Sequence, residues 1–256
     1  MPTLRTAERY YRFSERMAAR AVRRAREARN RGSAAVAAVV VQHQAAQARE
    51  VPSAMTAMLA EQGLREIPTA TLNSLAFTTA QEQVEAMLAE IQQDVEWELE
   101  RLVSSLVQDA GRAAQAVETV TRPHIVHVRH LNLPSCSRCA VLAGREYRWS
   151  TGFKRHPGCD CVMIPTTVAA PDLTYDPEQL ARDGLVRGLS KADLKAIDDG
   201  ADFSQVVNVR NRKAGLVDAG QALTRAGRPT PAGIYRLADG NRDKALDLLK
   251  EHRYIT

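Results

Sequence analysis

The feature that most constrains this chain is a run of apolar residues at helical spacing through residues 84–120. Val84, Leu88, Ile91, Val95, Leu99, Leu102, Leu106, Ala110, Ala113, Val117 and Val120 follow one another at intervals of three or four, the period of an α-helix. A continuous helix over about 80–120 would be a rod of about 60 Å, at 1.5 Å per residue. Such a rod has more apolar flank than short neighbours can cover, and surplus flank is ordinarily buried by self-association or by a partner. The sequence therefore predicts a mainly α fold whose residues 1–121 form a long helical arm. Segments near 4–31, 33–50, 53–62 and 69–82 should pack beside the rod as further helices. Composition agrees, because this zone is rich in the helix formers Ala, Glu, Gln and Arg. Aromatics are only 5% of the 256 residues, so the core must be built from small aliphatic side chains.

Pro123 ends this zone. Residues 122–169 read as a small α+β module. His124-Ile-Val-His-Val-Arg-His130 and Cys161-Val-Met-Ile-Pro165 are strand candidates. Pro134, Gly144, Gly152, Pro157 and Gly158 mark turns, around a core expected to hold Tyr147, Trp149 and Phe153. Residues 170–256 read as a compact tail of short helices. Ser190-Lys-Ala-Asp193 resembles a capping box, Gly200 can close that helix, Thr230-Pro231 is an N-cap followed by proline, and Asn241 opens a last helix with Ala245, Leu248 and Leu249 on one face.

The most specific chemistry lies in the module. Cys136-x-x-Cys139 is followed by His156-Pro-x-Cys159-x-Cys161. Zinc takes four N or S ligands in a tetrahedron, and a C-x-x-C turn brings two sulfurs close enough to share one ion. Cys159 and Cys161 project to one side of a strand, with His156 just before them. Five candidates compete for four places; the four cysteines are favoured, with His156 replacing Cys161 or standing just outside the ligand sphere. Four protein ligands close the sphere to water, so the expected cofactor is a structural Zn2+. The alternatives are two disulfides, or thiols packed as small hydrophobes. A Cys159–His156 nucleophile pair, or a serine protease drawn from His124, His127, His130, Ser135, Ser137 and Ser150, lacks a third residue or an oxyanion signature.

The second feature is basic. Arg5, Arg9, Arg12, Arg16, Arg20 and Arg23 recur every three or four residues and form one helical stripe, on a chain whose formal net charge is +5. Such a stripe attracts phosphate backbones without reading sequence; it equally suits an acidic protein surface, or is a solvated face. Neighbouring Tyr10, Tyr11 and Phe13 favour docking over bare solvent. The longest apolar run, Ala34 to Val41, is too short for a bilayer, so no membrane partner is expected. The Arg-rich start carries Glu8, Glu15 and Glu27 and does not read as an export signal.

The stretch Leu133-Pro-Ser-Cys-Ser-Arg-Cys-Ala-Val-Leu-Ala-Gly144, then Tyr147, then His156-Pro-Gly-Cys-Asp-Cys161, resembles the Mu F-like minor head proteins of tailed bacteriophages. The preceding helical region, Gly200-Ala-Asp, Val206-Val-Asn208 and Arg228-Pro-Thr-Pro-Ala-Gly-Ile-Tyr235 are similar to the actinobacteriophage type. One departure is Asp160, where the family often has Arg, so no basic side chain is offered to DNA there. The resemblance implies a structural minor capsid protein inside the head near the portal, made in the host cytoplasm and assisting assembly and DNA packaging or ejection. Its partners would be the portal, other head proteins and packaged double-stranded DNA, with self-association through the helical arm. Two alternatives stand beside this: a capsid maturation protease, since some relatives are described so, and a zinc-containing nucleic-acid-binding protein.

Overall fold

The computed structural model describes residues 4–91, 96–148, 161–167, 173, 175–209 and 227–255. In chain order its elements are α1 (Arg5–Ala28), α2 (Ser33–Glu61), α3 (Gln81–Glu90), α4 (Glu96–Val120), β1 (Val126–His130), β2 (Ser135–Cys136), α5 (Ser137–Val141), β3 (Glu146–Tyr147), β4 (Val162–Thr166), α6 (Pro177–Arg182), β5 (Val186–Arg187), α7 (Lys191–Asp198), α8 (Phe203–Asn208), α9 (Pro231–Ala238) and α10 (Arg242–Glu251). The protein is mainly helical with a little sheet. The residues group into two compact units: Met1–His130 with Gly144–Thr174, and Leu131–Ala143 with Tyr175–Thr256.

In the first unit, α1, α2 and α4 pack around a core that runs the length of the helices. Ala7, Tyr10, Ser14, Ala18, Ala21, Ala25 and Ala28 form the buried face of α1, and small alanines allow its backbone to approach its neighbours closely. One end of the core gathers Ala21, Ala25, Val36, Val40, Val84, Leu99, Val103 and Val107; the other gathers Tyr10, Val51, Met55, Met58, Val128 and Ile164. Between them lies a polar knot. The buried Gln47 amide donates to Tyr10 Oη at 3.2 Å and to Ser14 Oγ at 3.1 Å, over Gly111 of α4. A Cβ at Gly111 would fall 2.7 Å from Gln47 Nε2 and 2.9 Å from its Cγ, so any larger residue would force Gln47 to shift.

Two sequence expectations are corrected here. The segments near 33–50 and 53–62 are one helix, α2, which runs through Pro52. The rod is not continuous either: α3 ends at Glu90, the next residue, Ile91, is extended with ψ of 143°, and Glu96–Val120 is a separate helix, α4. The break has a packing reason. Folded as a separate piece, α3 brings Val84, Leu88 and Ile91 against the cluster that holds Leu99, Val103 and Val107, which one straight rod could not do.

The apolar phase also changes along α4. From Ala110 onward the buried residues include Gly111, Arg112, Ala114, Gln115, Glu118 and Thr119, while Val117 and Val120 are 44% and 47% exposed. The inner face turns polar because it meets the edge of a sheet. β1 lies between β3 and β4, antiparallel to both, with His127 opposite Pro165 and Arg129 opposite Met163. That leaves the odd-numbered carbonyls of β4 on the outer edge, where backbone acceptors must find donors. Arg112 supplies Nε and Nη2 to Cys161 O at 3.3 Å each. Gln115 Nε2 donates to Met163 O at 3.0 Å, and Gln62 Nε2 to Pro165 O at 2.8 Å. Proline suits this position, since no ladder hydrogen bond is asked of its nitrogen. Beyond the edge, Arg122 and Glu118 form a buried ion pair at 2.8 Å, and Arg122 Nη2 also donates to Thr56 Oγ1 at 3.0 Å.

The second unit is built from short capped helices. β2 and β5 pair in parallel. The capping box is present, with Ser190 N donating to Asp193 Oδ2 at 2.6 Å and Asp193 N to Ser190 Oγ at 3.2 Å. Thr230 and Asn241 cap α9 and α10 through Gly233 N and Lys244 N. Gly200 follows α7 with φ of 98°, a conformation that favours glycine. Asp199 ties three helices, accepting from Lys195 Nζ at 2.7 Å and Tyr235 Oη at 2.8 Å and facing Arg242 at 3.5 Å. Burial pushes its carboxyl up, but those hydrogen bonds and cations outweigh it and hold it below the usual carboxylate value.

Candidate functional site: a cationic helix face and the cysteine turn

α1 has no side-chain cap of its own. Glu61, at the end of α2, supplies one: its carboxylate accepts from Arg5 N at 3.0 Å, Thr6 N at 2.9 Å and Thr6 Oγ1 at 2.5 Å. Those Thr6 hydrogen bonds, aided by the Arg5 amide and charge, hold the Glu61 carboxyl below its ordinary value. α1 is thereby pinned at its start and packed along its alanine face, so its opposite face is rigidly presented. All six arginines of the predicted stripe, Arg5, Arg9, Arg12, Arg16, Arg20 and Arg23, are exposed on that face.

Their partners are few. Arg5 lies 3.8 Å from Glu61. Off the row, Arg24 pairs with Glu27 at 3.0 Å, and Arg26 with Glu96 at 2.9 Å and with Glu100. Among the described residues, Arg9, Arg12, Arg16, Arg20 and Arg23 form no ion pair. From Arg5 to Arg23 the row spans about 27 Å of helix axis. Guanidinium groups bind carboxylates and phosphates through paired donors, and this row presents them at helical spacing along one exposed face. At its far end, Trp97 of α4 is 56% exposed, with Arg101 over its ring at 4.7 Å.

The cysteines fall in different parts of the description. Cys136 caps α5, its Sγ accepting from Cys139 N at 3.4 Å. The C-x-x-C pair is therefore a helix-opening turn in the second unit, with Cys136 half-buried and Cys139 buried. Cys161 belongs to the first unit, buried just before β4, where Arg129 Nη1 donates to its Sγ at 2.7 Å. His156 and Cys159 lie outside the described residues, as do Ser150, Trp149 and Phe153. Among the described residues no group of three or more His, Cys, Asp or Glu side chains is gathered to hold a metal. The expected zinc-stabilised module thus has no support in the structure: the C-x-x-C turn offers two sulfurs, half of a tetrahedral site.

His127 shares its face of the sheet with Arg129 and stacks on Tyr147, with ring centroids 5.4 Å apart and planes within 8°. Burial, aided by the Arg129 charge, pushes its pKa down to about 4. Burial also takes His130 to about 4, against the opposing pull of Glu8. Both rings are neutral at physiological pH.

Sequence reading missed Gln62, Arg112, Gln115 and Arg129. The signal available for two of them was a polar residue in the inward phase of an alanine-rich helix. Among the described residues, no helix is long and apolar enough to cross a membrane. Comparison with protein-family models, curated proteins and solved structures returns no match.

Proposed function

We propose that this chain is a structural minor capsid protein of a tailed bacteriophage, held inside the head near the portal. The observation that carries the reading is the row Arg9, Arg12, Arg16, Arg20 and Arg23, exposed and without carboxylate partners among the described residues, on a helix fixed at its start and along one side. Such a surface binds without chemistry. In a phage head, the extended anions it would meet are packaged duplex DNA and the acidic surfaces of head proteins. The order Cys136-x-x-Cys139, Gly144, His156-Pro-x-Cys159-x-Cys161, which resembles that of Mu F-like proteins, is what argues for the location. A structural Zn2+ remains part of this proposal on the strength of that sequence pattern. The protease reading gains nothing comparable: a His127 ring held near pKa 4 is a weak base at neutral pH.

Deleting the gene from the phage that carries it tests the reading. Heads lacking the protein should assemble yet fill with DNA or deliver it poorly, and supply of the protein in trans should restore both. Heads that fill and deliver normally without it would overturn the proposal, as would loss of a specific capsid-protein cleavage.

A further inference from the structure

The row of arginines has a counterpart on the same chain. Residues 5–31 hold ten arginines against Glu8, Glu15 and Glu27, a balance of +7. Residues 66–100 hold eight carboxylates (Glu66, Glu82, Glu85, Glu90, Asp94, Glu96, Glu98 and Glu100) and no basic residue. Within one molecule these zones meet at a single place among the described residues, where Arg26 of α1 pairs with Glu96 and Glu100 of α4. α3 packs against α2 through Val84 and Leu88 and turns Glu82, Gln83, Ala86, Ala89 and Glu90 to the exterior.

We propose that the docking partner of the α1 row is the acidic face of α3 on a second copy of this chain, in a head-to-tail contact. This deepens the function proposed above by naming the acidic neighbour, and rests on that reading only in treating the row as an interface. Three observations argue for it. The charges are complementary: Arg9, Arg12, Arg16, Arg20 and Arg23 are exposed on α1, and Glu82 and Glu90 are exposed on α3 with Glu85 half-buried beside them. The spacing matches: Glu82 and Glu85 are three residues apart, as are Arg9 and Arg12, so helices laid side by side bring successive pairs together at about 4.5 Å of rise. Ala86 and Ala89, small and exposed between Glu82 and Glu90, leave room for long arginine stems to lie flat. The two faces belong to different helices, so each copy offers one face to the copy ahead and the other to the copy behind. Contacts of that kind close into rings or run on as filaments.

Surface ion pairs are individually weak and screened by salt, so the association should be concentration-dependent and salt-sensitive. The experiment is sedimentation velocity on the full chain at rising concentration, in about 50 mM and about 500 mM salt. Species heavier than the monomer are expected at low salt and should dissociate at high salt. The variants Arg12→Glu/Arg16→Glu/Arg20→Glu and Glu82→Arg/Glu85→Arg/Glu90→Arg should each need at least about tenfold more protein to associate. An equimolar mixture of the two should reassemble, because the reversed row of one fits the reversed face of the other. Single changes, Arg16→Glu and Glu82→Arg, give the same directions with less risk to folding. A chain monomeric at low salt, or a mixture that stays apart, overturns the proposal. A monomer that binds arbitrary duplex DNA in a salt-dependent way would assign the row to nucleic acid instead. Absence of the protein from phage heads would sink the capsid function while leaving this association measurable.

Discussion

Replacing Gly111 with alanine sets two effects of known size against each other. In the middle of an exposed helix the change would stabilise the protein by about 1 kcal/mol through helix propensity. Here the new methyl would sit 2.7 Å from Gln47 Nε2 and 3.0 Å from Tyr10 Oη, and Gln47 is 1% exposed, so its side chain moves only by displacing packed neighbours. Its amide must give up its hydrogen bonds to Tyr10 and Ser14. Leaving a buried polar group without partners costs about 1–3 kcal/mol, and crowding a packed core adds about 1–3 kcal/mol. The balance is a loss of about 2 kcal/mol or more, which in a domain of this size lowers Tm by about 4–8 °C. Thermal and urea denaturation followed by helical circular dichroism measure it. Introduced into Gln47→Ala protein, the same substitution should be neutral or stabilising, so the pair forms a double-mutant cycle with a sizeable coupling. A Gly111→Ala protein as stable as the parent would refute the three-helix packing around Gln47.

The buried His127 and His130 rings have folded pKa values of about 4 against an ordinary 6.5; the unfolded chain binds more protons between those values, so stability is complete above pH 6.5 and falls as pH drops toward 4, by up to about 3 kcal/mol per ring. Tm measured from pH 8 to 5 should show this slope, and His130→Gln should flatten it; a level profile between pH 6.5 and 5 contradicts the burial. Burial raises the Glu118 carboxyl against the pull of Arg122, so Arg122→Met strands a buried charge and should cost about 3–5 kcal/mol in urea unfolding, much of it recovered by adding Glu118→Gln. Elemental analysis should find about one zinc per chain, lost in Cys136→Ser and in Cys159→Ser; metal-free protein with an intact fold rejects the zinc.

What the sequence disclosed tracks the range of the interactions involved. The α1 stripe was legible because exposed arginines and buried alanines both follow one helix period, with no long-range contact needed. The caps at Ser190, Thr230 and Asn241 were legible because each involves residues three positions apart. The rod failed because an apolar period continues across a break: Val84 and Leu99 satisfy one repeat whether or not Ile91 stays helical. The apolar phase of α4 failed beyond Ala110 because its inner face answers a demand made by β4, about 50 residues away. An edge strand needs donors, and Arg112 and Gln115 meet that need where an apolar stripe could not. The cysteine spacing spoke to chemistry and was silent on which compact unit each half joins.

The proposed place of this chain inside a phage head is open to quantitative mass spectrometry of purified particles treated with protease before disruption. A few intact copies of this chain per particle are expected, shielded until the head is opened. A chain left behind in the lysate, or stripped from the outside of intact heads, would contradict it.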